Sequence, residues 1–200
     1  MKTETRKLAN TVFCSLILGL TIAFPSTLSA DPILNIQPLS LNVQTGDTFE
    51  VEVTISEVED LVGWQFDIGF DPSVLSVNGI TEGNFLSGAG PMIFIPGFID
   101  NVGGTLSMSA AALLGPFDGA SGSGLLATIS FTALADGFSL ISISNELLVN
   151  SSLDLIAPAT LNSATVKVSA SNVPEPSTLV LSFSGLAGWL ARTYQRKRSN

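Results

Sequence analysis

The dominant pattern along the middle of the chain is alternation. From Thr48 to Ser56 the apolar residues Phe49, Val51, Val53 and Ile55 take every second position, with Thr48, Glu50, Glu52, Thr54 and Ser56 between them. From Trp64 to Phe70, Trp64, Phe66, Ile68 and Phe70 alternate with Gln65, Asp67 and Gly69. Leu106, Met108, Ala110 and Ala112 alternate with Thr105, Ser107 and Ser109; Leu125, Ala127, Ile129, Phe131 and Ala133 alternate with Leu126, Thr128, Ser130 and Thr132. Successive strand side chains point to opposite faces, so each run predicts a strand with one apolar and one wet face. Weaker runs predict further strands at Leu39–Val43, Val74–Ile80, Met92–Ile99, Phe138–Ile143 and Ala164–Val168. Turn signals separate them: Thr45-Gly46-Asp47, Asp71-Pro72-Ser73, Gly103-Gly104, Gly115-Pro116 and Asp136-Gly137. No stretch between residues 31 and 170 carries a helical stripe. The expected fold is all-β, two antiparallel sheets packed as a sandwich of about nine strands.

Both ends break the pattern. Lys2, Arg6 and Lys7 precede an apolar run from Leu8 to Phe24, and Pro25 to Ala30 is a small-residue exit. This reads as a secretory signal peptide over residues 1–30, cut after Ser29 or Ala30; an uncleaved N-terminal anchor is the alternative. Cys14, the chain's one cysteine, lies early in the apolar run and precedes no lipobox exit. At the other end, Pro174, Glu175 and Pro176 close a linker over 171–176, followed by an uncharged run over 177–191. Its apolar residues, including Leu179, Val180, Leu181, Phe183, Leu186, Trp189 and Leu190, fall on every side of a helix. About 15 residues at about 1.5 Å rise span about 22 Å, short of the hydrocarbon core of about 30 Å, and snorkelling arginines make up part of the difference. Arg192, Arg196, Lys197 and Arg198 in the tail 192–200 predict a cytoplasmic C-terminus. A buried C-terminal helix and an ordinary tail anchor are the alternatives.

The order Pro-Glu-Pro, apolar segment, arginine-rich end resembles a PEP-CTERM sorting signal. The resemblance implies a transient inner-membrane anchor, a cut near the Pro-Glu-Pro by a membrane enzyme of the exosortase type, and release to the exterior or surface of a Gram-negative-type cell. The prolines themselves fix an extended, unpaired stretch that a protease can grip.

Composition then narrows the chemistry. Between Asp31 and Pro176 there are sixteen Asp/Glu against one Lys (Lys167), a balance of −15. Nucleic acid is excluded as a partner, because phosphate binding needs a basic face. This part has no Cys and no His, so no disulfide staples it and no imidazole is present for a Ser-His-Asp or Cys-His nucleophile.

A second resemblance covers most of residues 33–168. The block Leu41-Asn42-Val43-Gln44-Thr45-Gly46-Asp47-Thr48-Phe49-Glu50-Val51, the segment Gly63-Trp64-Gln65-Phe66-Asp67 with Phe70-Asp71-Pro72-Ser73-Val74-Leu75, and Gly124-Leu125-Leu126-Ala127-Thr128-Ile129-Ser130-Phe131 are similar to a cohesin domain. The resemblance implies a nine-stranded jelly-roll sandwich over residues 31–170, related to carbohydrate-binding modules, whose relatives in cellulosomes bind dockerins. In the residues themselves, Gly46-Asp47 turns the chain, Gly63 allows close approach before Trp64 enters the core, and Asp71 accepts donors of the following turn.

The expected function is a non-catalytic, exported module for matrix, adhesion or carbohydrate binding. Phe94, Phe98 and Phe117, in Gly/Pro-rich connections, form the expected binding edge. The alternatives are a protein-binding module recognising a dockerin-like partner, and a carboxylate-based glycoside hydrolase, for which Asp67 with Asp71, or the cluster Glu57, Glu59 and Asp60, supplies carboxylates without a specific arrangement. No cofactor is expected. Glu57-Val58-Glu59-Asp60 and the Asn145-Glu146…Asn150…Asp154 loop are oxygen-rich enough for calcium, though neither has the spacing of a calcium loop.

Overall fold

The structure, a computed structural model, describes residues 31–115, 118–156 and 159–171. The leader, residues 172–176 of the Pro-Glu-Pro linker, the apolar run, the basic tail and Phe117 lie outside the described residues. Among the described residues there are eleven strands: β1 (Ile33–Gln37), β2 (Ser40–Gln44), β3 (Thr48–Gly69), β4 (Leu75–Glu82), β5 (Met92–Ile95), β6 (Phe98–Asp100), β7 (Thr105–Leu113), β8 (Ala120–Ala133), β9 (Gly137–Asn150), β10 (Thr160–Asn162) and β11 (Ala164–Ser169). The difference from nine has local causes. Pro96-Gly97 splits the expected strand over 92–99 into β5 and β6, and the two expected strands at 48–56 and 64–70 are one. The short strands β1 and β10, which pair in parallel, have no expected counterpart.

β3 organises the sandwich. Its first half pairs with β1 and β8, its second half with β7 and β9. Twenty-two residues drawn straight would run about 70 Å, about twice the width of a domain this size. Instead β3 doubles back. Phe49 near its start stacks on Phe131 of β8 with ring centroids 5.7 Å apart, and Phe70 just past its end meets the same ring edge-on at 5.6 Å. The bend lies at Glu57 and Asp60, whose φ angles of 59° and 57° are left-handed and rare for residues with a Cβ. β3 therefore belongs to both layers. One runs β4-β8-β3-β1-β10; the other runs β2-β11-β9-β3-β7, with β5 and β6 end to end on β7's far edge. Between them lie the inward residues of both alternating runs, with Val53, Phe66, Ile68, Ile129 and Phe131 fully buried.

The alternation expected for β7 holds only to Leu106. There Leu106 is buried, but Met108 is 55 % exposed, and Ser109 and Ala111 face the core in place of Ala110 and Ala112. The cause is a β-bulge: between the pairs Phe66–Ser109 and Ile68–Leu106, the single residue Asp67 faces both Ser107 and Met108. Met108 takes the left-handed conformation, φ 58°. The buried Ser109 hydroxyl donates to the Pro96 carbonyl at 3.0 Å, so its burial leaves no unpaired group.

Opposite this bulge Gly97 has φ +79°, and a Cβ there would lie 2.3 Å from the Ser107 carbonyl oxygen and 2.8 Å from the Ser109 nitrogen. Both neighbours are backbone. Gly97→Ala should cost about 1–3 kcal/mol, read as a lower urea midpoint at unchanged slope; an unchanged midpoint would show that β5 and β6 yield freely.

On the outer edge of β4 the Asn101 side chain stands in for a neighbouring strand. Its Oδ1 accepts the Val77 N–H at 2.8 Å and its Nδ2 donates to the Val77 carbonyl at 3.0 Å.

Candidate functional site

The candidate site is on the outward face of the second layer. Above the β7 bulge, Ala110 and Ala112 point out of the sandwich, in register with Gln65 and Gly63 of β3. On one side β5 brings Ile93 opposite Ala112 and Ile95 opposite Ala110. On the other, β9 brings Val149 opposite Gly63 and Leu147 opposite Gln65. Small residues make the floor and branched ones the walls of an open groove of about 250 Å³, with Trp64 beneath it. Ile93 and Ile95 are each 49 % exposed and Leu147 42 %. Phe98, 71 % exposed and paired with Ser107, extends the apolar surface below the groove. Among the described residues no charged side chain lines the groove, in a region with sixteen carboxylates. Contiguous exposed apolar side chains with no charge among them make this face a candidate interaction site.

The expected aromatic edge is divided. Phe98 is outward. Phe94 is half-buried and packs on Trp64 with centroids 6.2 Å apart, while Trp64 itself is buried and stacks on Phe66 at 4.7 Å. The expectation for Gly63 also shifts: a Cβ there would meet Ala111 O at 3.4 Å and Ala112 Cβ at 3.6 Å, so its missing side chain chiefly deepens the groove floor.

Several of the candidate carboxylates are hydrogen-bonded within the fold. Asp67 Oδ1 accepts the Met108 N–H and Oδ2 accepts the Asn145 amide, each at 2.7 Å. Asp71 Oδ1 accepts the Ser73 hydroxyl at 2.6 Å and the Ser73 N–H at 2.9 Å, closing the expected turn. Those two bonds, the hydroxyl's first, hold Asp71 below the usual carboxylate range, which keeps it ionised and unsuited to general-acid work. Asp100 is lowered likewise by the Gly103 and Val102 N–H groups. Asn150 Oδ1 accepts from the Ser152 and Asp154 N–H groups. Glu57 to Asp60, expected as an oxygen-rich loop, is instead the bend of β3. Among the described residues no cluster of three or more acidic side chains is placed to hold a metal ion.

Asp60 ties three segments together at the bend. Its Oδ1 accepts the Gly119 N–H at 2.9 Å, and its Oδ2 accepts the Ser151 hydroxyl at 2.6 Å and the Ser151 N–H at 3.2 Å. The Ser151 hydroxyl and then the Gly119 N–H lower its pKa. A carboxyl depressed in the folded state contributes stability that is complete above its unfolded pKa and is lost as pH falls through the folded one. Wild type should therefore outmelt Asp60→Asn at neutral pH, the two midpoints converging as the pH is lowered progressively below the ordinary Asp value of about 3.9. A gap that persists undiminished at low pH would rule out this source of stability.

Geometry and register describe a β-sandwich with an apolar outer face. The chain belongs to the cohesin family: the cohesin domain model matches residues 35–177, more than half of its length. A second model, the PEP-CTERM protein-sorting motif, matches residues 172–197 and marks a protein addressed to the cell surface or exterior. A cohesin domain is a non-catalytic module. Among similar solved structures is a non-cellulosomal cohesin from the archaeon Archaeoglobus fulgidus, with 14% identity and TM-score 0.56 over 72% of this chain and 94% of that one. Another is the third cohesin of ScaC of Acetivibrio cellulolyticus in complex with the ScaB dockerin, with 18% identity and TM-score 0.56 over 68% and 98%. A Clostridium thermocellum OlpA cohesin–dockerin complex gives 16% identity and TM-score 0.55 over 70% and 100%. At these identities the likeness is one of fold. No curated protein sequence matches.

Proposed function

We propose that this chain is a secreted protein-binding module of the cohesin type, which takes a folded, dockerin-like partner on the face between β5 and β9. The carrying observation is the uncharged groove floored by Gly63, Ala110 and Ala112 and walled by Ile93, Ile95, Leu147 and Val149. A rigid sheet with small residues at its centre and branched apolar ones around them suits a folded partner that inserts one or two bulky side chains. The solved dockerin complexes of similar cohesins support this choice of partner. The tail is read with it. The segment over 177–191 holds the exported chain in the inner membrane until an exosortase-type enzyme cuts near Pro174, Glu175 and Pro176. Arg192, Arg196, Lys197 and Arg198 keep the end beyond it in the cytoplasm.

The test is capture of secreted proteins on the immobilised chain, in parallel with immobilised polysaccharides. The expected result is a partner carrying a dockerin-like module, held by wild type and lost when the groove is filled. Retention on a polysaccharide, lost with Phe98→Ala and unaffected by groove substitutions, would favour the carbohydrate reading instead. Phe98 is that reading's exposed ring among the described residues of the expected edge.

A further inference from the structure

We infer that Asp67 is the positioning residue that selects which side chains form the binding face. It does so by holding two bulges, one in each strand beside it. The bulge in β7 is described above. The other is in β9. Between the pairs Gln65–Leu147 and Asp67–Ser144, β3 advances two residues and β9 three. Asn145 within it is left-handed, with φ 51°. One carboxylate thus grips both irregularities, with Met108 N–H on Oδ1 and Asn145 Nδ2 on Oδ2, each at 2.7 Å.

The consequence follows from strand periodicity. An extra residue reverses which side chains face in and which face out beyond it. In β9, Ile141 and Ile143 are buried below the bulge. Unbroken alternation would carry Leu147 and Val149 inward after them. In β7, Leu106 is buried, and unbroken alternation would carry Ala110 and Ala112 inward. The observed structure reverses both. Leu148 and Ala111 are 3 % exposed, and Leu147, Val149, Ala110 and Ala112 form the groove. The residues exchanged beyond the bulges are apolar in both registers, and at the β7 bulge the observed register buries Ser109 and exposes Met108, so burial alone does not favour it. Asp67 has a defined preference, because only the bulged register brings a backbone N–H and an amide to its two oxygens. The groove is in this sense made by a charged residue that does not line it.

The structural half of the inference stands alone; its functional half rests on the protein-binding reading above. The test uses the full chain in detergent with Cys14→Ser, carrying a single thiol from Ala112→Cys or Ala111→Cys, and follows maleimide labelling. With Asp67 present, the thiol at 112 should react at least tenfold faster than that at 111. With Asp67→Ala the order should invert, labelling falling at 112 and rising at 111. Simple loosening would raise both rates. The paired exchange Asp67→Asn with Asn145→Asp reverses donor and acceptor across the contact and should restore the original order. Retention of the original order in Asp67→Ala overturns the inference. If Asp67→Ala does not fold, the paired exchange decides: native labelling order supports the inference, and failure to restore it overturns it. Inverted labelling with undiminished partner capture would support the role of Asp67 and overturn the protein-binding reading of the face.

Discussion

Phe131→Ala should be among the most damaging single substitutions in the domain, lowering stability by about 3–5 kcal/mol. Phe131 is fully buried and touches two rings that are far apart in sequence, Phe49 and Phe70. Truncation removes its own buried surface and both aromatic contacts, each worth about 0.5–1.5 kcal/mol beyond burial. It also opens a void where the two halves of β3 approach each other. Against a total stability of about 5–15 kcal/mol, the loss should lower the melting temperature by about 10 °C or more. Phe131→Leu, which fills most of the void, should recover a large part of it. Thermal unfolding of the three proteins decides. A melting point for Phe131→Ala close to wild type would mean that the doubling back of β3 is held by other contacts.

Ala112→Arg should abolish partner capture and leave the fold intact. Ala112 is exposed and faces the groove, so the longer side chain has solvent to enter. Stability should change by no more than about 0.5 kcal/mol. Binding is another matter. A partner closing on this face would have to dehydrate a guanidinium against an apolar surface with no carboxylate in the groove to pair it. A loss of about 3 kcal/mol or more, over a hundredfold in affinity, is expected. Thr81→Arg on β4, in the other layer, serves as the control and should bind as wild type. Equal binding of the partner by all three would place the contact elsewhere on the surface.

The strongly alternating stretches were readable in the sequence because alternation and burial have one cause. Val51, Val53, Ile55, Trp64, Phe66 and Ile68 face the core as their spacing predicts. The turn at Asp71 was also readable, since its partner Ser73 is two residues away. What escaped the sequence depends on distant contacts. Asp67 bonds across 41 residues to Met108 and across 78 to Asn145, and no local pattern announces either bulge. The groove was missed for the same reason. Ala110 and Ala112 fit the core-facing phase that Leu106 begins. One signal was available: Ala110-Ala111-Ala112 and Leu147-Leu148-Val149 are apolar on both phases, as expected of a strand with apolar neighbours on both faces. The aromatic edge was inferred from glycine and proline nearby. Those residues mark irregular backbone but do not fix the direction of a ring, and Phe94 turned inward to Trp64.

The Asn101 amide on Val77 has a colloidal consequence. A free strand margin exposes backbone donors and acceptors that recruit any extended chain, including another copy of the same protein. At Val77 both groups are already engaged by a side chain of the same molecule. Docking of a foreign strand there would first have to displace that amide, so β4 resists the margin-to-margin stacking that leads to precipitation in crowded surroundings.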